Sequence, residues 1–554
     1  MASMASVNVN ATCELVGLFA GLLAALVNEE MRQTSPLFKT PITGSYDFVV
    51  VGAGSAGSVL ASRLSENPTW RVLLLEDGGP ATPLMDVPGY FGTNWANNVK
   101  FFKGKENPEA FNGEALPIPR GKVLGGSSSV NGMMYVRGNR RDFDRWAAMG
   151  NEGWDYENVL KYFKKSEKNI DPKFQNDKYH GTDGPMIVSS YPMTEISKAA
   201  LGAFEWLGLP KRDYNGEEQI GVSLVQNTAS ATRQSTFTSF VKPNMDRENL
   251  HVKIHSRVTK VIHDGKKAQG VEFLDSEGKT HRVFATKEVI ISAGAIESPQ
   301  ILMLSGIGPR DHLEALGIPV LADLPVGLNL QDHPTIIAHT AFKKPNPQLA
   351  EGLNAKVQEL TNHITSKTGS LALPPANVMA FQSFSEDPME ADVAHVVSTS
   401  IYGTPCYIES SIYTHVQIFS VLMRSHSKGR VLLRDRDPLS DPIIELNLLH
   451  DKRDADVLKK GIKDVLKLKD APSWAKVNMT LDTTPLPLCS AHTFHDDEYW
   501  DCVVRSYTQS LYHEVSKITR SDYSQGKHSR RNACLSMHTI FPRLTIIYFV
   551  YTAA

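Results

Sequence analysis

Three glycines and one acid set out the first piece of chemistry in this chain. Gly52, Gly54 and Gly57 follow the apolar run Phe48 to Val51, and Glu76 closes a second apolar run, Arg71 to Leu75. A G-x-G-x-x-G between strand and helix allows a tight turn, lets backbone approach a pyrophosphate, and lets the helix pack close on the strand. The helix opening at Ser55 and Ala56 offers free N–H groups and the positive end of its dipole to phosphate oxygens. Glu76 falls where a carboxylate accepts hydrogen bonds from a ribose 2′-hydroxyl, about 20 residues beyond the glycines. An acid there argues against a 2′-phosphate and leaves NAD and FAD both open. A glycine triplet alone is usually just a turn. Strand, turn, helix, strand and terminal acid in one βαβ length predict a dinucleotide site.

A second stretch, Arg120 to Asp144, carries small residues at Gly125, Gly126 and Ser127 to Ser129. They permit backbone to lie against a flat ring or a phosphate, with N–H and hydroxyl donors at hand. A glycine-serine linker is the plain alternative, but linkers rarely run straight into an apolar segment such as Val130 to Val136. A third candidate is Gly294, between a buried strand over Glu288 to Ser292 and a following helix.

The elements that must position these residues sit in a chain of 554 residues, long enough for two or more packed units. With 41% hydrophobic and 21% charged residues the composition is that of a soluble globular enzyme. A net charge of −2 gives no reason to expect nucleic acid or an anionic membrane as partner. Cys13, Cys406, Cys489, Cys502 and Cys534 are few, odd in number and lack metal-like spacing, so no metal site is expected. One pair, such as Cys489 with Cys502, could form in an oxidising compartment. Leu15 to Val27 is an apolar run too short to span a bilayer. It resembles the core of a secretory signal, which favours export, although no Lys or Arg precedes it.

Along the chain, residues 1–44 form an N-terminal segment and 45–337 a nucleotide-binding unit, with substrate-domain pieces interleaved around 150–225. Asp77 to Asn112 is loop-rich, which suggests an excursion over a ligand. Trp154 to Lys168 has the spacing of a surface helix. Asn249 to Ile262 and Gly270 to Phe273 alternate like antiparallel strands. Residues 338–515 suit the floor and walls of a substrate domain, with a strand at Arg430 to Leu433 and an amphipathic helix at Asp454 to Leu468.

Taken together, Gly52 to Gly79, Gly121 to Asp144 and Gly294 to Gly308 make the chain resemble the glucose-methanol-choline (GMC) family of FAD-dependent alcohol oxidoreductases. The latter two stretches fit the family's signature patterns at every fixed position, and the chain looks most like the family's insect glucose dehydrogenase (FAD, quinone) branch. Asn249 to Val252, Val326 to His333 and Ser427 to Arg430 add weaker support, and the resemblance runs from about residue 45 to about 515. It implies a doubly wound FAD-binding domain joined to a substrate domain built on an antiparallel sheet backed by helices. It implies that Gly52, Gly54, Gly57 and Glu76 hold the ADP part of FAD. Val123 and Asn131, Gly132, Met133 and Met134 would line the pyrophosphate and flavin region, and Val258 would meet the adenine. The expected activity is oxidation of a small alcohol or sugar, with electrons passed to a quinone-type acceptor. Of the 18 histidines, the motif Ser506 to Val515 singles out His513 as the base.

After Val515 the match stops. The family follows its histidine with proline, where this chain has Glu514. Nothing in residues 516–554 resembles the family's last strand, its second catalytic His or Asn, or its flavin-contacting segment, and His528 and His538 lie in unrelated surroundings. The substrate domain is therefore expected to be incomplete and the tail foreign to the family. Two alternatives follow: a homologue that binds flavin without turnover and, more distantly, an NAD-linked reductase. The number of subunits is not legible.

Overall fold

The computed structural model describes residues 42, 44–92, 98–336, 342–345, 361–363, 365–399, 413–494, 496–515 and 543–546. Strand β1 (Ser45–Val51) is buried along Phe48 to Val51, as its unbroken apolar run requires. It leads through the glycine turn into helix α1 (Ser55–Leu64), and the chain returns as β2 (Val72–Leu75), parallel to β1. After a long excursion β3 (Leu250–Lys253) adds to β2 in parallel, and β4 (Arg257–Asp264) and β5 (Lys267–Leu274) form an antiparallel pair. Strand β6 (Thr280–Ile291) pairs with β5 through its first half and with β1, in parallel, through its second. Helix α2 (Gly294–Leu304) follows, and the sheet order is β3-β2-β1-β6-β5-β4.

One expectation is corrected here. The alternation over 249–262 predicts antiparallel strands throughout, whereas Leu250–Lys253 runs parallel to β2. A period of two records which residues face the core and not which way the partner runs.

The second half is built on an antiparallel sheet. Its elements are β7 (Pro334–Ile336), β8 (Phe342–Pro345), β9 (Ala376–Gln382), β10 (Val393–Ser398) and β11 (Tyr413–Leu422). They are followed by α3 (Lys452–Lys467), β12 (Thr480–Leu481), α4 (Asp497–Tyr507) and β13 (Thr508–Ser510). The order is β12-β8-β11-β10-β9, with Gly221–Leu224 on the far edge and β7 pairing with both β11 and β13. Helix α3 buries Leu458, Ile462, Val465 and Leu466. Gly461 brings it so close to β10 that an added Cβ would lie 3.0 Å from Val393. The molecule thus joins a doubly wound α/β unit to an antiparallel sheet backed by helices.

Two features concern the C-terminal quarter. A disulfide joins Cys489 to Cys502, tying the turn Pro487–Cys489 to α4 just before β13. Strand β14 (Leu544–Ile546) lies parallel beside β6, Leu544 opposite Val289, with the Leu544 side chain fully buried. The sequence reading of 516–554 named no strand at this place. Three residues are too few for a period to show, and their partner lies far away in sequence. Leu15 to Val27, His528 and His538 lie outside the described residues. Among the described residues no helix is long and apolar enough to cross a membrane.

Candidate active site

The glycine turn and Glu76 form one unit. A Cβ on Gly57 would sit 1.9 Å from the Gly52 carbonyl oxygen, so α1 packs on the turn only because Gly57 lacks a side chain. Glu76 accepts the Ala53 N–H on Oε2 and the Gly78 N–H on Oε1, each at 2.9 Å. Burial pushes its carboxyl up to about 7, against the pull of those two N–H groups. Helix α1 has no acid in its first turn, so its positive end stays available to an anion. The second motif meets the first here: a Cβ on Gly126, at φ +55°, would lie 2.6 Å from Gly54 Cα. The hydroxyls of Ser128 and Ser129 are spent within their own turn, on the Gly125 and Leu124 carbonyls, which corrects their expected role as ligand donors.

From this turn a cavity of about 1620 Å³ runs to His513. It is lined by Gly52, Gly54, Ser55, Ala56, Glu76, Gly126, Asn131, Gly132, Met134, Val258 and Gly294. A Cβ on Gly294 would meet nothing within 4 Å, so the cavity comes right up to that backbone. Three predicted residues lie off the lining. Gly57 packs inward, as above. Val123 is fully buried against Met85, Val99 and Val130. Met133 is also fully buried, held at φ +64° while its carbonyl accepts the Thr228 N–H. The lining suits FAD by its shape and donors: a glycine turn at a helix N-terminus, a carboxylate at the end of β2, and small residues along the way.

His513 projects from a bulge. Ser510 pairs with Pro334 and Val515 with Gln331, so residues 511–514 face only Asp332 and His333. Asp332 organises the bulge. It accepts the backbone N–H of His333 at 2.7 Å and of His513 at 3.0 Å, and the Ser510 hydroxyl. Arg120 donates to the Tyr512 carbonyl at 2.7 Å, pinning a residue held at φ +67° directly before the histidine. Arg120 also pairs with Glu514, whose side chain is fully buried; this is how the fold accommodates an acid where the family resemblance leads one to expect proline. Burial lowers Arg120 to about 10. Burial first, then the charges of His333 and Arg120, hold His513 down to about 3. The ring is therefore neutral near pH 7.

Sequence reasoning missed Asp332, His333 and Arg120 as site residues, although all three fall inside stretches it had singled out. His333 stands edge-on to His513 with ring centroids 5.8 Å apart, and it lines the same cavity. Its Nδ1 lies 2.8 Å from the Leu422 carbonyl, which can only accept, so Nδ1 carries a proton and donates it there.

A dinucleotide cradle joined by one cavity to a half-buried neutral imidazole defines a cofactor-dependent oxidoreductase. Residues 46–335 match the N-terminal GMC oxidoreductase family model and residues 425–519 the C-terminal one, and the chain belongs to the GMC oxidoreductases. FAD is accordingly its cofactor, and the NAD-linked alternative falls away. The chain is 36% identical over 526 residues to "Glucose dehydrogenase [FAD, quinone]" of Drosophila melanogaster, covering 90% of this chain and 83% of that one. It is 34% identical to "Alcohol dehydrogenase [acceptor]" of Pseudomonas putida, covering 85% of each chain. A formate oxidase structure from Aspergillus oryzae superposes with a TM-score of 0.80 at 23% identity, covering 91% of this chain and 94% of the other, a likeness of fold. The match over 425–519 also corrects the expectation of an incomplete substrate domain: the C-terminal domain is present.

Proposed function

We propose that this enzyme oxidises a primary or secondary alcohol, with His513 as the base and a quinone-type molecule as the final electron acceptor. Alcohol oxidation removes a hydride from carbon, for which FAD is the acceptor, and a proton from oxygen, for which the chain must supply a base. The glycine turn, Gly126 and Glu76 would hold FAD. The observation that carries the reading is a half-buried, uncharged imidazole at the far end of the cavity that begins at the glycine turn. His513 has a free lone pair over the whole neutral range. Asp332 fixes its backbone, and the His333 ring stands edge-on beside it at the same cavity. The acceptor is proposed from the Drosophila relative's name. An oxidising compartment is proposed on the Cys489–Cys502 bridge, a bond that persists outside reducing cytosol.

The purified protein is expected to show flavin absorption bands that bleach when an alcohol is added without an electron acceptor and return when an artificial acceptor follows. His513→Ala should keep the bands and lose the bleaching. Bands that no alcohol bleaches would overturn the proposal of turnover, and bleaching that survives His513→Ala would overturn the assignment of the base.

A further inference from the structure

Behind one wall of the cavity, a second histidine stands between two acids. His180 Nδ1 lies 2.7 Å from Glu167 Oε1, its Nε2 lies 2.8 Å from Asp213 Oδ2, and its side chain is fully buried. Phe174 stacks on the ring with centroids 4.1 Å apart. Arg137, equally buried, pairs with Glu167 and donates to the Tyr179 carbonyl. Glu167 also accepts the Gly181 N–H at 2.9 Å, and Asp213 Oδ1 accepts the Asn215 N–H at 3.0 Å and the Gln226 amide at 2.6 Å. An ionised carboxylate can only accept, so an acid on each ring nitrogen requires two N–H donors, which only the imidazolium has. Burial opposes that charge, but the bonds to Asp213 and Glu167 outweigh it and hold His180 above its ordinary 6.5. Burial would raise the two acids as well, and the bond from His180 holds each below its ordinary range. The cleft of about 910 Å³ on the outer side of His180 carries Arg63, Lys164, Lys165 and Arg247 against Glu66, Asp177 and Asp183. Those charges are close to balance.

The cluster holds a wall of the cofactor cavity. Asn131, Gly132 and Met134 line the cavity, and the chain runs from them directly into Tyr135 and Arg137. Tyr135 donates its N–H to the Gln226 carbonyl at 2.7 Å, and its carbonyl accepts the Asn215 amide at 2.9 Å. Asn215 also accepts the Arg137 N–H at 2.9 Å. Asn215 and Gln226 are the residues that Asp213 holds, and Arg137 is the residue that Glu167 holds. His180 joins the two acids, and with them the two sides of this support.

We infer that His180 is a pH-sensitive positioning residue for the cofactor: doubly bonded, it clamps the Met134 to Arg137 segment, and loss of its proton at higher pH loosens that wall and its hold on FAD. A neutral His180 turns a lone pair toward one of the two carboxylates. The folded state holds the proton more tightly than the unfolded chain does. The clamp's contribution is therefore whole below 6.5 and is lost as pH rises through the higher midpoint of folded His180.

The test uses the FAD-loaded enzyme between about pH 6 and 9, with urea unfolding and the fluorescence of released flavin as readouts. The unfolding constant is expected to rise by up to about tenfold per pH unit above 6.5, with faster FAD release alongside. Asp213→Asn separates charge from packing. Its oxygen can keep the bonds from Asn215 and Gln226, while its amide donates to a neutral His180. This variant should retain FAD and lack the part of the rise that His180 supplies. Equal slopes in the parent and Asp213→Asn overturn the inference, as does a parent that is flat across this range. His180→Gln offers an amide N–H to one acid and a carbonyl to the other, so it should release FAD at pH 6 as fast as the parent does at pH 9. Release at the parent's pH 6 rate overturns the inference. If Asp213→Asn does not fold, the parent's slope and His180→Gln decide the matter.

Discussion

Asp332 carries more of the site than its place in the sequence suggests. Its carboxylate accepts from two backbone N–H groups and one hydroxyl, all within or facing the bulge that presents His513. Asp332→Ala leaves those donors buried and unpaired, at about 1–3 kcal/mol each. The variant is expected to lose both stability and kcat, read by urea denaturation and steady-state kinetics, whereas His513→Ala should lose kcat alone, by about 10²- to 10⁴-fold. Titration of the two perturbed groups adds a signed prediction for the FAD-free protein. His513 falls from 6.5 to about 3 on folding, so its contribution is whole above 6.5 and is lost as pH falls through that window. Glu76 rises from 4.5 to about 7, so its contribution is whole below 4.5 and is lost as pH rises to 7. Stability measured against pH should flatten on the acid side in His513→Gln and between 4.5 and 7 in Glu76→Gln. Glu76 and the glycines were legible in the sequence because their partners lie within one βαβ unit. Asp332 and His333 were not, because what gives them a role is a pairing with residues near 510 that no local pattern encodes.

At the scale of elements, β13 is positioned by what precedes it. Helix α4 buries Tyr499, Trp500, Val503 and Val504, and the bridge from Cys502 to Cys489 anchors its middle to the turn Pro487–Cys489. The helix ends at Tyr507 and the strand begins at Thr508 with no loop between them, so tilt in α4 passes straight to the bulge. A bridge closing a loop of this length contributes about 3 kcal/mol through the unfolded chain. The double variant Cys489→Ser/Cys502→Ser is expected to lose about that much in denaturant titration, and to lose kcat while KM changes little. Unchanged stability would mean that the bond does not form in solution. One helix of this half was legible from its 3.6-residue period, read at Asp454 to Leu468 and found at Lys452–Lys467; α4 was not read. The sheet was not, since Pro334–Ile336 and Thr508–Ser510 are three-residue strands with no period to read.

For the whole molecule, the cofactor cavity takes residues from both halves, so FAD bound there should stabilise both. Native protein with FAD at 100 times its dissociation constant should gain about 2.7 kcal/mol over the FAD-free form. The same sheet extends to the C-terminal region through Leu544–Ile546, and this strand tests how far one cooperative unit reaches. Leu544 is fully buried, packed in the core that holds Val49, Val51, Val289 and Ile291, and its strand lies directly against β6. β6 runs on through Ser292 to Gly294, and Ser292 donates its hydroxyl to the Val51 carbonyl at 2.8 Å, next to the glycine turn. A charge at 544 is therefore felt where FAD would bind. Leu544→Asp puts an unpaired carboxylate in that core, a loss of about 3–5 kcal/mol. It should lower FAD content and melting temperature together. Leu544→Ala should cost about 2–5 kcal/mol through the space it leaves, with FAD retained at saturating concentration. A Leu544→Asp protein that melts and binds FAD like its parent would show that β14 only rests on the sheet, and that the nucleotide half ends at β6.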